Sequence, residues 1–340
     1  MRAGIWIYIG RRVLHTVALI VGITLITFVL SHIVPTDPAA IYAGLHPHAA
    51  QIEQARKLLG LDKPLYMQYL LFLKGLVTGH WGISLRTHRE VLHDLMTFLP
   101  PTLELVIAST VLATIFGIPL GVYASRRPGS AVDTAIRLSN AGFVSIPAFW
   151  LALLLQIVFF GHLHLLPLGG QLDRSYAHAL PHVTGFPILN AIVTGHMAAL
   201  GDALWHLILP SLALGAYSIG FIARMTRATM LDVLSYDYIR LAMANGYSSL
   251  QIYFRYALKN ALGTALTALG LIFAFSLTGD FYIELIFFWQ GLGTYAVNSI
   301  QAIDTPSILG VVVLVASGYA VTNLIVDLIR AAIDPRLSIQ

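Results

Sequence analysis

The chain has 340 residues, of which 57% are hydrophobic and only 11% charged; it has no cysteine, and its mean hydropathy is +0.77. A soluble domain carries about 25% charged residues, so this composition belongs to a membrane protein. Twenty Lys and Arg against sixteen Asp and Glu leave a net +4, too small and too scattered for a nucleic-acid-binding face. Without cysteine there is no disulfide, thiolate nucleophile or Cys-zinc site.

A membrane-spanning helix needs roughly 20 mostly apolar residues. Six stretches qualify: 13–31, 102–124, 141–162, 204–223, 261–279 and 307–329. The first follows Arg11 and Arg12, is longer than a signal-peptide core and ends without a small-x-small cleavage site, so it is expected to stay as an anchor. Residues 32–101, between the first two spans, hold the sizeable extramembrane region of the outer face. Gln51 to Leu59 and Pro64 to Leu76 have helical spacing there, and Gly75, Gly79 and Gly82 mark turns. Prolines 119, 147 and 210 interrupt apolar helices, each removing a hydrogen bond and permitting a kink. Residues 163–203 are rich in Gly, Pro and His and show no period. The polar segment 224–260 repeats Tyr236, Ile239, Met243 and Tyr247 at helical spacing, one apolar face on a short helix that spans nothing. Such a face suits either the lipid interface or a partner protein.

With the N-terminus inside, thirteen of the twenty Lys and Arg fall on the cytoplasmic side, and the outer loops 163–203 and 286–306 carry only Arg174. That bias puts both termini in the cytoplasm. No phosphate-binding G-x-x-x-x-G-K-[ST], no H-E-x-x-H zinc helix and no G-x-S-x-G nucleophile turn occurs, so the chain is expected not to be an enzyme. Glu104, Asp280, Glu284 and Asp327 sit near span ends, where anchoring in the headgroup layer is the plain reading for Glu104 and Asp327. Asp280 and Glu284, four apart, would share a helix face. Asn140, Ser145, Gln156, Ser276 and Thr278 are the polar residues able to line a water-filled path. Twelve of the thirteen histidines fall outside the cytoplasm. His162 with His164, and His178 with His182, have spacings a metal could use, but no carboxylate accompanies them, and no metal ligand is assigned.

The residues resemble the B-type permease subunits of dipeptide and oligopeptide ABC importers, from about residue 9 to 336. The R-R-x-L opening with GITLITFVLSHIVPTDPA (22–39), LGLDKPLYMQYL (59–70), GIPLGVYAS (117–125) and SIPAFWLALLLQIVF (145–159) match the family's first spans. RMTRATMLDVLSYDYIRLAMANGYSSLQIYFRYALKNAL (224–262) is similar to the cytoplasmic EAA loop, whose E-A-A-x-x-x-G core falls on Arg240, Leu241, Ala242 and Gly246. ELIFFWQGLG (284–293) and IDPR (333–336) match later motifs. Departures are Thr36 and His80 in outer motifs, Gly263 for the loop's closing Pro, and Gln290 for the Pro of W-P-G-L-G.

The resemblance implies an all-α membrane protein with the type I ABC importer permease fold: six transmembrane helices and a helical extracytoplasmic insertion between spans 1 and 2. The expected division is 1–31 for the tail and first span, 32–101 for the insertion, and 102–336 for a five-span core with docking loop 224–260. It further implies a bacterial or archaeal cytoplasmic (inner) membrane location and import of di- or oligopeptides, with nickel or a metal chelate as the alternative solute. A stand-alone secondary transporter is the rival of another class. The implied partners are a second homologous permease subunit, two ATP-binding subunits, an extracytoplasmic solute-binding protein and membrane lipid. ATP and Mg would be bound by the ATPases, with no cofactor in this chain and no nucleic-acid partner. Asp237, Tyr238, Arg240, Ala242, Asn245 and Gly246 are the candidate ATPase-docking residues. Asn140, Ser145, Ser276, Asp280 and Glu284 are the candidate translocation-path residues.

Overall fold

The computed structural model describes residues 2–333 apart from 34–37, 45, 46, 59, 182 and 280. The candidate path residue Asp280 lies outside the described residues, as do Thr36, His182 and the last part of the closing IDPR. Among the described residues every named element is helical, and the only β pairing is an isolated bridge between Ile83 and Glu90.

Helix α1 (Arg2–Ile33) is followed by α2 (Pro38–Tyr42), α3 (Ala49–Leu58) and α4 (Leu65–Thr78). Helix α5 (Val91–Leu112) runs through a π-helical stretch, Ala113–Gly117, into α6 (Ile118–Arg126). Then come α7 (Ala131–Ser145), α8 (Ala148–Leu155) with a π-helical end at Gln156–His162, and the short α9 (Arg174–Ala179) and α10 (Pro187–Val193). Helix α11 (Met197–Leu234) is the longest; α12 (Asp237–Ala244) follows, and a π-helical stretch at Gln251–Ala257 opens α13 (Leu258–Gly279). The chain closes with α14 (Phe281–Ile286), α15 (Leu292–Gln301) and α16 (Thr305–Ile333).

Among the described residues five helices are long and apolar enough to cross a membrane: Ile9–Leu30, Val91–Arg126, Met197–Leu234, Gln251–Leu277 and Thr305–Ile329. The expected stretch 141–162 is not one continuous helix. Pro147 disfavours the helical conformation in the residue before it, and Ile146 is extended at φ −85°, ψ 123°. That leaves the shorter apolar helix Ala148–His162. The expected start of the second span at 102 also moves: the helix begins at Val91 and runs through Pro100 and Pro101.

Helix α11 is the centre of the bundle, with 67% of its apolar window buried against 17% for those of α1 and α16. The outer two therefore keep their Val, Leu and Ile turned outward, as lipid-facing helices do. Close approach to α11 depends on Gly117 and Gly121, one turn apart. A Cβ at the first would lie 2.9 Å from the Ile222 side chain, and at the second 2.6 Å from the Ala223 carbonyl oxygen. Small residues at such a crossing let backbones touch, which is how helices gain packing energy where lipid offers no hydrophobic drive. The π-helical stretch just before these contacts fits Pro119, whose missing N–H breaks the regular ladder. Arg12 on α1 pairs with Asp327 on α16 at 2.7 Å, joining the first and last long helices. Helix α4 lies along α1: the Tyr69 hydroxyl donates to the Val21 carbonyl, and the Phe28 ring meets those of Tyr69 and Phe72.

Candidate functional site

Helix α11 stops at Leu234, and the chain turns through Tyr236, which is extended at φ −73°, ψ 147°, into α12. The eight residues of α12 bury two side chains, Ile239 and Ala242. Ile239 packs with Val122, Met230, Val233 and Ile252 beneath the helix. The repeat of Tyr236, Ile239, Met243 and Tyr247 therefore divides. Ile239 holds α12 to the bundle, while the others are exposed together with Tyr238 and Leu241. Tyr247 itself lies beyond the helix, which ends at Ala244 with Asn245 as its cap. Gly246 has φ +77°, and a Cβ there would meet nothing within 4 Å. It is needed for its left-handed backbone, which reverses the chain, and not for room.

The docking candidates cluster on this unit. Ala242 is buried; Asp237, Tyr238, Arg240, Asn245 and Gly246 are exposed. Arg240 and Asp237 form a 3.3 Å surface pair, and the Asn260 amide donates to the Tyr238 hydroxyl at 2.7 Å, tying α12 to α13. Ser248 and Gln251 cap the next helical stretch through bonds from the Ser248 amide and hydroxyl to the Gln251 side chain. The unit is thus a rigid platform with an apolar and aromatic outer face.

The path candidates separate. Ser276 and Glu284 share the wall of a mostly apolar cavity of about 380 Å³ bounded by residues of α5, α13, α15 and α16. Ser145, exposed at the end of α7, lines another, of about 360 Å³, with residues of α11. Asn140 is on α7. Glu284, 4% exposed, accepts from the Thr102 hydroxyl at 2.6 Å and the Thr294 amide at 3.0 Å. Thr102 in turn accepts from the Leu292 amide, and the Trp289 indole donates to the Pro101 carbonyl. The F-W-Q-G-L-G turn is thereby fastened to the prolines of α5. Gln156, grouped by sequence with path-lining residues, is buried and donates to the Leu168 and Ile286 carbonyls. Glu104, expected as an exposed anchor, is instead buried and accepts from the Ile188 amide.

Burial pushes the Glu284 carboxyl up to about 7, against the bonds from Thr102, Thr294 and Gly293, which pull it down. The folded state then holds this proton more tightly than the unfolded one. Stability conferred by the group is full below the ordinary value of 4.5 and is lost as pH rises through about 7. The thermal midpoint of the purified protein should fall across that window, and Glu284→Ala should remove this part of the slope. The variant should also melt lower, because unpaired buried donors cost about 1–3 kcal/mol. An unchanged slope in the variant would assign the titration elsewhere.

Sequence reasoning missed a second buried network. Asp304 accepts from Ser84, from Ser307 and from the Arg86 amide, and the Tyr295 hydroxyl sits between Asp94 and Ser307. It joins the turn before α5 to α15 and α16. Among the described residues no group of three His, Asp or Glu could hold a metal, and α9 ends at Ala179, one residue after His178.

A family model described as the binding-protein-dependent transport system inner membrane component matches residues 117–339, and the model of its N-terminal part matches residues 5–106. The chain belongs to this family. It is 42% identical over 332 residues to a probable D,D-dipeptide transport system permease protein of Escherichia coli, covering 98% of this chain and 97% of that one. It is 36% identical over 334 residues to a di/tripeptide transport system permease protein of Pseudomonas aeruginosa, covering 98% and 99%. An oligopeptide transport system permease protein of Bacillus subtilis is 35% identical over 331 residues, covering 97% and 98%. The resemblance to ABC peptide-transport permeases read from the motifs is borne out. Family and structure agree on an inner-membrane component with, among the described residues, five helices long and apolar enough to cross a membrane, one fewer than the six expected.

Proposed function

We propose that this permease is one transmembrane half of an ATP-driven, binding-protein-dependent importer of di- or oligopeptides. The observation that carries the reading is the exposed face of α12 and its flanks, with Tyr236, Tyr238, Leu241 and Met243 outward on a unit anchored by Ile239. An exposed apolar, aromatic patch on a short helix that spans nothing suits a protein groove. In this reading Asp237, Tyr238, Arg240, Ala242, Asn245 and Gly246 form or support the contact with an ATP-binding subunit. Two such subunits bind ATP and Mg, and the broken α7–α8 unit completes six spans with both termini in the cytoplasm. A second, homologous permease forms the other half, and an extracytoplasmic binding protein delivers the solute. Asn140, Ser145, Ser276, Asp280 and Glu284 are the proposed path residues. The peptide class is supported by the names of the relatives, whose similarity runs the length of both chains.

The test is uptake into vesicles reconstituted with the chain and its companions. Accumulation of a labelled dipeptide such as alanyl-alanine should require internal ATP and the external binding protein. Accumulation driven by an ion gradient without ATP would replace the reading with a secondary transporter.

A further inference from the structure

The cavity beside Ser145 is cationic, and neither the docking unit nor the outer networks account for it. It lies between α7 and α11, with Gly220 and Ala223 as small buried residues in its wall and Arg137, Arg224 and Arg227 around it. Arg227 is already committed. Its Nε and Nη2 donate to the two Asp133 oxygens at 2.6 and 2.7 Å, and the Gly129 amide donates to the same carboxylate. Asp133 is fully buried. Arg137 and Arg224 are exposed at the opening, and the Arg224 guanidinium is set over the Phe221 ring, 5.4 Å from its centre. Among the residues lining the cavity none is acidic. Three guanidinium groups against the single Asp133 carboxylate leave two positive charges facing a space of about 360 Å³.

Such a site has defined chemistry. Guanidinium groups are weakly hydrated and match a carboxylate or phosphate with paired N–H donors. The volume is in the range of a small-molecule site. The cavity is toward the cytoplasmic end of α11 by the charge bias, about two to four helical turns before Leu234, and it includes a proposed path residue.

We infer that Arg137 and Arg224 form an oxyanion site at the inner end of the path, which takes the free carboxylate of the transported solute as it leaves toward the cytoplasm. The inference rests on the importer reading and adds to it the group recognised and the residues that recognise it. Arg227 acts as a positioning residue, held by Asp133 so that its own charge does not capture the solute.

The experiment is ATP-driven uptake of labelled alanyl-alanine by the complete complex in vesicles, comparing wild type with Arg137→Gln/Arg224→Gln. The maximal rate should fall by about tenfold or more, as loss of charge-assisted bonds implies. The half-saturating concentration, set where the binding protein docks, should hold steady. Arg137→Lys/Arg224→Lys should restore a substantial part of the rate, because charge is kept and only the paired geometry is lost. Equal rates in wild type and the Gln variant would overturn the site. A wild type that moves no dipeptide would instead overturn the importer reading. Repeating the comparison in vesicles of phosphatidylcholine alone separates the two sources of an oxyanion. If wild type there drops to the rate of the Gln variant, the cavity holds an anionic lipid phosphate and the solute assignment is overturned; if the difference persists, the solute carboxylate is the ligand. Should the Gln pair not assemble, the single Arg224→Gln variant carries the same comparison.

Discussion

Leu241→Asp/Met243→Asp should strip the ATP-binding subunits from the permease while leaving it folded in the membrane. Both side chains are at least half exposed on α12, so neither charge is forced into the bundle, and Ile239 still anchors the helix. In a protein groove the same charges would be desolvated without a partner. Central apolar contacts of that kind are worth about 2 kcal/mol or more, a factor of about 30 in affinity. Co-purification of ATPase and ATP-driven uptake should be lost together, with unchanged amounts of chain in the membrane. Retention of both would move the docking face elsewhere. Gly246→Leu should act differently. No neighbour obstructs the side chain, but φ +77° costs an L-residue about 1–2 kcal/mol. The turn that closes α12 should loosen, and hydrolysis should continue with reduced transport. Normal uptake by that variant would show that the platform tolerates a displaced turn.

The second large effect is on stability. Arg227→Ala removes the bidentate partner of a carboxylate that is fully buried. Without Arg227 the buried Asp133 carboxylate is left with the Gly129 amide as its remaining donor. Breaking one side of such a pair costs about 3–5 kcal/mol, whereas removing both sides costs far less. The Arg227→Ala complex in detergent should therefore melt markedly below wild type, and Asp133→Ala/Arg227→Ala should recover most of the loss. The asymmetry between single and double variants is the diagnostic feature. Equal melting of the single variant and wild type would mean that α7 does not depend on this pair for its place on α11.

What was legible in the sequence was set by short-range rules. Helical spacing located the short helix α12 and Gly246 marked its end, because a left-handed terminator and an i, i+3 repeat are local properties of the chain; the docking role came from the family resemblance. The break at Ile146–Pro147 follows from proline sterics alone. The repeat of Tyr236, Ile239, Met243 and Tyr247 was legible as apolar but not as two faces. Which side packs depends on Val122 and Ile252, distant in sequence. Polar residues were hardest. Glu284 looks like a path residue from its neighbours, yet its hydroxyl partner Thr102 is 182 positions away. Asp133 and Arg227 are 94 apart, and Ser84 and Asp304 are 220 apart. A carboxylate in an apolar stretch announces that something must satisfy it, but only the packed bundle says what. The cationic cavity was hidden for the same reason, since Arg137 and Arg224 line it from two helices distant in sequence.

This chain is expected to work only as part of an ATP-driven assembly. Purification of the tagged chain from its native membrane in mild detergent, with every stoichiometric companion identified by mass spectrometry, reads out that dependence. Two ATP-binding subunits and a second permease of the same family should co-purify, with an extracytoplasmic binding protein captured when nucleotide is added. A chain recovered alone or only as copies of itself, under conditions that hold known membrane complexes together, would contradict it.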